Sequence, residues 1–407
     1  MKPRKTLCLA LVLTLLLPGA ALMEVDLSTP APTQAPAAPP QLSAAPLLDA
    51  PPIELPCAAG ILVEPESGQV IFEQNADTPC PVASVTKVMT ILLALEALSQ
   101  GRVALEDEFT VSQAAAGMGG SQVLLDVGEV QPFSVLLKSA IVGSANDASV
   151  AIAEALYGSE NAFVERMNER ARELGLKNTH FVNCTGLPAE GQQTTARDVA
   201  VMTMAMLSYP AYFDFSTVWL DEVDHGDGRI TQLTNTNKLI RLYDGCDGGK
   251  TGSTNEAGYC ISATARRGDM RLIAVVLGAD TGSERFDIAA EMLDYGFAHY
   301  RLYPVAQKGT KVRGELPVTG GDSEGVPLVL DGDLTLLIQK GDEQAVQLVP
   351  DLPEAVQAPV AAGEEVGGVQ VVVDGRAVAR IPVVAAREVT AKGLKNALQR
   401  VVGLWGL

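Results

Sequence analysis

The stretch Pro81-Val82-Ala83-Ser84-Val85-Thr86-Lys87-Val88-Met89-Thr90 sets a serine and a lysine three residues apart at the opening of a helix. Val88, Ile91, Leu92, Leu95 and Leu98 follow at helical spacing up to Gly101, which predicts a helix over 84–98. Residues three apart on a helix share a face, with roughly 5–6 Å between their Cβ atoms, so Ser84 and Lys87 lie within reach of a proton transfer. The helix amino terminus supplies free N–H groups and partial positive charge, which favour an oxyanion at Ser84 and a neutral amine at Lys87. Taken alone, Ser-x-x-Lys also describes a capping serine beside a solvated lysine. Other motifs must decide between the two.

Two of them stand downstream, Ser144-Ala145-Asn146 and Lys250-Thr251-Gly252. Hydrolysis of an amide near neutral pH needs an activated nucleophile, a proton carrier for the leaving amine and an anchor for the substrate. Ser84 and Lys87 are the candidate nucleophile and base, and Ser144 can carry a proton from Lys87 to the leaving amine. The amide of Asn146 can bind the substrate's own amide. Lys250 and Thr251 offer a cation and a hydroxyl to a carboxylate, and Gly252 allows close backbone approach along an edge strand. Ser-x-Asn recurs at Ser253-Thr254-Asn255, so the assignment rests on the order and spacing of all three motifs. His180, His225 and His299 form no such pattern, and no Cys/His cluster has metal-ligand spacing, so neither metal nor cofactor is expected.

Around these motifs the pattern predicts an α+β architecture. A hairpin is expected over 59–72, with Ala59-Gly60-Ile61-Leu62-Val63 and Gln69-Val70-Ile71-Phe72 as its strands. Helices are expected over 132–142, 145–157, 162–174 and 195–207, then adjacent strands over 258–265 and 271–277 and an amphipathic helix over 286–300. Strands at both ends with helices between them give an antiparallel sheet covered by helices. After residue 303 the helical period gives way to short apolar runs, which read as a separate all-β domain over 304–386.

The ends of the chain have another character. Lys2, Arg4 and Lys5, an apolar run over 7–17 and the small residues Gly19-Ala20-Ala21 read as a secretory signal over 1–21. A Pro/Ala-rich tether is expected over 22–56. The last segment, 387–407, places Leu394, Leu398, Val401, Val402 and Trp405 on one stripe and Lys392, Lys395 and Arg400 largely off it. It reads as a helix lying on the outer face of the cytoplasmic membrane, not crossing it. At 407 residues, 47% apolar and formally −19, the chain can bury a full core, and its charge speaks against a nucleic-acid partner. Five cysteines outside the signal cannot all pair, so at least one thiol is free, and a Cys246–Cys260 bridge is one option.

These residues resemble the serine D-alanyl-D-alanine carboxypeptidases, the low-molecular-weight penicillin-binding proteins. Beyond the three motifs, Phe181-Val182-Asn183-Cys184-Thr185-Gly186-Leu187, Thr234-Asn235-Thr236-Asn237-Lys238-Leu239 and Asp247-Gly248-Gly249 match family segments, and the likeness covers about residues 55–407. The resemblance implies a β-lactamase/transpeptidase-like catalytic domain over 57–303, the small β-domain and the C-terminal amphipathic helix. It implies an acyl-enzyme on Ser84, with Lys87 as base and Ser144 as relay. Asn146, Lys250, Thr251, Gly252 and Ser253 would bind substrate, and the N–H groups of Ser84 and Ser253 would form the oxyanion hole. Arg285 would support the carboxylate site or form a surface ion pair. The partners implied are peptidoglycan stem peptides ending in D-Ala-D-Ala, with β-lactams as inhibitors. Family members often carry histidine where this chain has Ser253. A class A-like β-lactamase would need a Glu-x-x-Leu-Asn segment, which Glu173-Leu174-Gly175-Leu176-Lys177-Asn178 misses by one residue. A non-catalytic sensor of β-lactams or peptidoglycan would not need the intact nucleophile and base.

Overall fold

A computed structural model describes Leu42 and residues 54–393. The signal segment and almost all of the tether lie outside the described residues.

The first folded unit is built on five antiparallel strands: β1 (Ala59–Glu64), β2 (Gln69–Gln74), β3 (Cys246–Thr254), β4 (Gly258–Arg267) and β5 (Met270–Ala279). They lie in the order β2-β1-β5-β4-β3. The amino-terminal hairpin therefore joins a strand more than 200 residues away in sequence, with Ile61 opposite Val275 and Leu62 opposite Ala274. Strand period 2 splits the apolar side chains between two cores. Ile61, Val63, Ile273 and Val275 face one core, and Leu62, Leu272, Ala274 and Val276 face the other. A sheet buried on both faces must be covered on both, and it is.

On one face lie α1 (Lys87–Ser99), α2 (Phe133–Val142), α3 (Asn146–Tyr157), α4 (Glu160–Glu173) and α5 (Ala196–Leu207), and on the other α6 (Glu284–His299). The expected stripe on α1 is present, but Met89, Leu93 and Ala94 on its other faces are buried as well. A helix apolar all round is a central helix, packed on every side. Each fully buried Leu or Ile here contributes about 1.5–3 kcal/mol relative to exposure, which fixes the helix carrying Ser84 and Lys87 in the middle of the domain. A hairpin over Leu220–Asp224 and Ile230–Thr234, unexpected from the sequence, packs beside α2.

The β-domain begins directly at the end of α6. Tyr300–Ala306 pairs with Leu334–Gln339, and a separate sheet carries Val346–Asp351, Glu365–Val373, Arg376–Ala385, Gly325–Leu330, Lys311–Thr319 and Val356–Gln357 in that order. Its core is its own, with Val326, Val371 and Val383 fully buried. The expected C-terminal helix needs one correction at its start. Val389 and Ala391 form bridges to Val360 and Gly321, and Val389 is fully buried in the β-core, so these residues are extended. The apolar stripe from Leu394 onward lies outside the described residues. Among the described residues no helix is long and apolar enough to cross a membrane.

Candidate active site

Ser84 sits in a short 3-10 turn, Ala83–Thr86, that runs into α1. The turn meets the sheet edge at β3, and two glycines make that meeting close. A Cβ on Gly252 would lie 2.5 Å from the Val82 carbonyl oxygen and 2.8 Å from the Ser84 nitrogen. A Cβ on Gly186, whose φ is +84°, would collide with the Ala83 carbonyl. Ala83 and Ser144 themselves have φ of 49° and 59°, a backbone that costs a non-glycine residue about 1–2 kcal/mol. Such strain persists where surrounding packing fixes the chain, as it does at Ala83, just before the nucleophile, and at Ser144. Gly252→Ala is expected to push the Ser84 N–H away and slow acylation by a penicillin on the order of 10²-fold. The second-order labelling rate of the folded variant, checked by circular dichroism, measures this.

Lys87 and Lys250 are both almost completely buried, at 0% and 1% exposure. That is rare for lysine, whose charge is costly to desolvate. Lys87 Nζ lies 3.0 Å from Ser84 Oγ, and it donates to Asn146 Oδ1 at 2.6 Å and to the Thr185 carbonyl at 2.7 Å. Burial pushes its pKa down to about 7, against weaker opposition from Cys184 and Asp147. A neutral amine keeps two N–H groups for Asn146 and Thr185 and turns its lone pair to the Ser84 hydroxyl. Lys250 Nζ donates to Ser144 Oγ at 2.7 Å and to the Thr251 carbonyl at 2.9 Å. Burial holds it well below the usual lysine range, with Lys87 and Arg285 adding to the shift.

The three motifs thus converge through side-chain contacts: Ser84 on Lys87, Lys87 on Asn146, and Ser144 on Lys250. Ser144 is tied to Lys250 and has no direct hydrogen bond to Lys87 among the described residues. The Asn146 amide is engaged at both ends, because its Nδ2 donates to the Gly119 carbonyl at 2.7 Å. Its neighbour Asp147 accepts the N–H groups of Val123 and Leu125, which pins the 119–125 loop beside the Ser144 turn. Neither this loop nor the Thr185 carbonyl was visible as a partner in the sequence, because both contribute backbone.

On the β3 side, Thr251 Oγ1 donates to Thr236 Oγ1 at 2.8 Å. Thr236 belongs to a segment singled out for its resemblance but given no role. Nearby, Asn237 donates to the Gly248 carbonyl, Ser216 to the Asp247 carbonyl, and the Gly249 N–H to Tyr212. Side chains thus hold the start of β3, while Ser253 is exposed at the edge. Among the described residues Arg285 forms no ion pair. It donates to the Gly252 carbonyl at 3.0 Å and stacks on Phe286 at 4.7 Å, so it braces β3 from behind.

Glu173 is far from this chemistry in function. It receives Arg166 at 2.6 Å and Arg170 at 2.9 Å on the surface of α4, with its side chain 46% exposed. Cys57, Cys80, Cys184, Cys246 and Cys260 are all free thiols, so Cys246 and Cys260 are not bridged. Among the described residues no group of His, Cys, Asp or Glu could hold a metal ion.

The chain is similar to known proteins. A family model described as D-alanyl-D-alanine carboxypeptidase matches residues 47–281, and one described as penicillin-binding protein 5, C-terminal domain, matches residues 300–391. The chain is 38% identical over 348 residues to the D-alanyl-D-alanine carboxypeptidase DacF of Bacillus subtilis, covering 85% of this chain and 89% of that one. It is 33% identical over 341 residues to the D-alanyl-D-alanine carboxypeptidase DacA of Escherichia coli, covering 81% and 82%. The crystal structure of penicillin-binding protein 5 from Haemophilus influenzae superposes with a TM-score of 0.75 at 30% identity, covering 84% of this chain and all of that one. With both domains matched in order and a buried Ser-Lys pair at the centre of the first, the chain belongs to the serine-type D-alanyl-D-alanine carboxypeptidase family.

Proposed function

We propose that the protein removes the terminal D-alanine from peptidoglycan stem peptides through an acyl-enzyme on Ser84. The observation that carries this reading is the contact of Ser84 Oγ with a completely buried lysine amine whose pKa is brought near neutrality. Ser84 Oγ attacks the carbonyl carbon of the penultimate D-alanine while neutral Lys87 takes the hydroxyl proton. The Ser84 and Ser253 N–H groups receive the oxyanion. The peptide C–N bond then breaks, and the D-alanine amine leaves with a proton delivered through Ser144. Water hydrolyses the ester and restores Ser84.

Lys250 and Thr251 hold the substrate's terminal carboxylate. A bound carboxylate supplies the buried Lys250 ammonium with a counter-ion, so binding and charging of Lys250 reinforce each other. Asn146 first organises Lys87 and the 119–125 loop; to hold the acyl chain its Nδ2 exchanges the Gly119 carbonyl for the substrate. Release of D-alanine from diacetyl-Lys-D-Ala-D-Ala by the purified protein tests the reading. Labelling by a fluorescent penicillin without any release would favour the sensor instead.

β-Lactams enter the same site as inhibitors. Because Glu173 is held by two surface arginines, nothing in its position supports rapid hydrolysis of a penicilloyl ester. We expect near-stoichiometric acylation with turnover slower than about one per minute, an expectation that rapid hydrolysis of a chromogenic cephalosporin would overturn. The substrate lies outside the cytoplasmic membrane, which agrees with export by the 1–21 signal and attachment by the C-terminal stripe. A chain ended at Gly393, which keeps the β-bridges of Val389 and Ala391, should lose co-flotation with anionic vesicles that the full chain shows.

A further inference from the structure

The segment from Phe181 to Leu187 enters the chemistry above only through the Thr185 carbonyl, which accepts from Lys87 at 2.7 Å. It lies outside helix and strand, so its backbone groups must find side chains as partners. Asn183 Oδ1 accepts the N–H groups of Thr185 at 3.2 Å and Gly186 at 2.7 Å, and its Nδ2 donates to the Leu187 carbonyl at 2.9 Å. Gln192 Oε1 accepts the N–H groups of Val182 at 3.0 Å and Asn183 at 2.8 Å. Cys184 is held from two helices: Glu160 of α4 accepts its N–H at 3.1 Å, and Thr90 of α1 donates to its carbonyl at 2.7 Å.

These bonds leave the Thr185 carbonyl for Lys87, and Cys184 and Thr185 are both fully buried. Thr90 stands three residues after Lys87, so one face of α1 carries the base and anchors the turn that meets it. Asn183 itself makes no hydrogen bond to Ser84 or Lys87 among the described residues. We infer that Asn183 is a positioning residue for the base: by folding the 183–187 turn it aims the Thr185 carbonyl at Lys87 and so sets the direction of the amine's lone pair. The inference rests on Lys87 acting as base. A neutral amine has two N–H groups, and with Asn146 Oδ1 and the Thr185 carbonyl accepting both, its lone pair faces Ser84 Oγ. Once the carbonyl turns away, one N–H is released, the amine rotates about its last bond and the lone pair leaves the nucleophile.

The test is a double-mutant cycle read by the rate at which a fluorescent penicillin labels Ser84, a step that needs no carboxypeptidase turnover. Asn183→Ala is expected to slow labelling on the order of 10²-fold, within the contribution of a positioned general base. In a Lys87→Met background the same substitution is expected to cost less than about 3-fold, because no amine is left to aim. The inflection of the wild-type rate at about pH 7 should also move to higher pH in Asn183→Ala, since water reaching the loosened turn eases the desolvation of Lys87. Equal slowing in both backgrounds, or an inflection that stays where it is, would overturn the inference and leave Asn183 a merely structural role. Should Asn183→Ala fail to fold, Thr90→Val takes its place in the cycle, since it keeps the shape of the side chain and removes only the donor to Cys184. It is expected to slow labelling about 5-fold with Lys87 present and not at all without it, and equal slowing in both backgrounds again overturns the inference. Fast labelling by Lys87→Met alone would instead sink the base assignment, and this inference with it.

Discussion

Ser84→Ala is expected to abolish D-alanine release and covalent capture of a fluorescent penicillin, with activity falling on the order of 10⁴-fold or more. No neighbouring hydroxyl can take over. Ser144 Oγ is held by Lys250, and Thr251 Oγ1 by Thr236, whereas Lys87 addresses Ser84 alone among the hydroxyls. Stability should change little, because the Ser84 hydroxyl is partly exposed and gives up one hydrogen bond worth about 1 kcal/mol. A thermal melt within a few degrees of wild type, beside absent labelling, is the expected pair of results. Labelling that survives would place the nucleophile elsewhere.

Lys87→Met is expected to slow acylation by 10²–10⁴-fold, about the full contribution of a positioned general base. Wild type should also show the pH signature of that base. With Lys87 titrating at about 7, the amine is protonated and inactive as a base below that pH and free above it. Acylation should therefore rise about tenfold per unit at acid pH and level off above neutrality, whereas an unburied lysine would delay the plateau beyond pH 10. The variant should lose this inflection along with its rate. Methionine keeps the length of the side chain but leaves Asn146 Oδ1 and the Thr185 carbonyl without their donor, at about 1–3 kcal/mol each. A melting curve must accompany the kinetics. A folded, slow variant whose residual rate still turns over at pH 7 would show that another group is the base.

Much of the fold was readable because its elements obey short-range rules. The apolar spacing along 84–98 and the turn residues after it located α1, and the runs 258–265 and 271–277 located adjacent strands. The hairpin over residues 220–234 was missed, and its strands explain why. Leu220, Glu222 and Asp224 are mixed in character and exposed, with Val223 the one buried residue of the first strand, so no alternation announces it. At the other end, charge and apolar spacing suggested a helix over 387–407, but Val389 belongs to the β-core. A single apolar residue fits either pattern, and only its neighbours in space decide.

The sequence alone determined which side chains could do the chemistry, since a serine and a lysine three apart at a helix start share a face whatever surrounds them. It also determined that a glycine stands where β3 passes the nucleophile. Only the tertiary structure decided that Lys87 and Lys250 are stripped of water, that Ser144 answers to Lys250, and that Asn146 is held at both ends. Those outcomes depend on segments from 59 to 106 residues apart meeting in one place. Spacing within a helix is local geometry, whereas burial, and with it a lysine that titrates near neutrality, is a property of the whole packed domain.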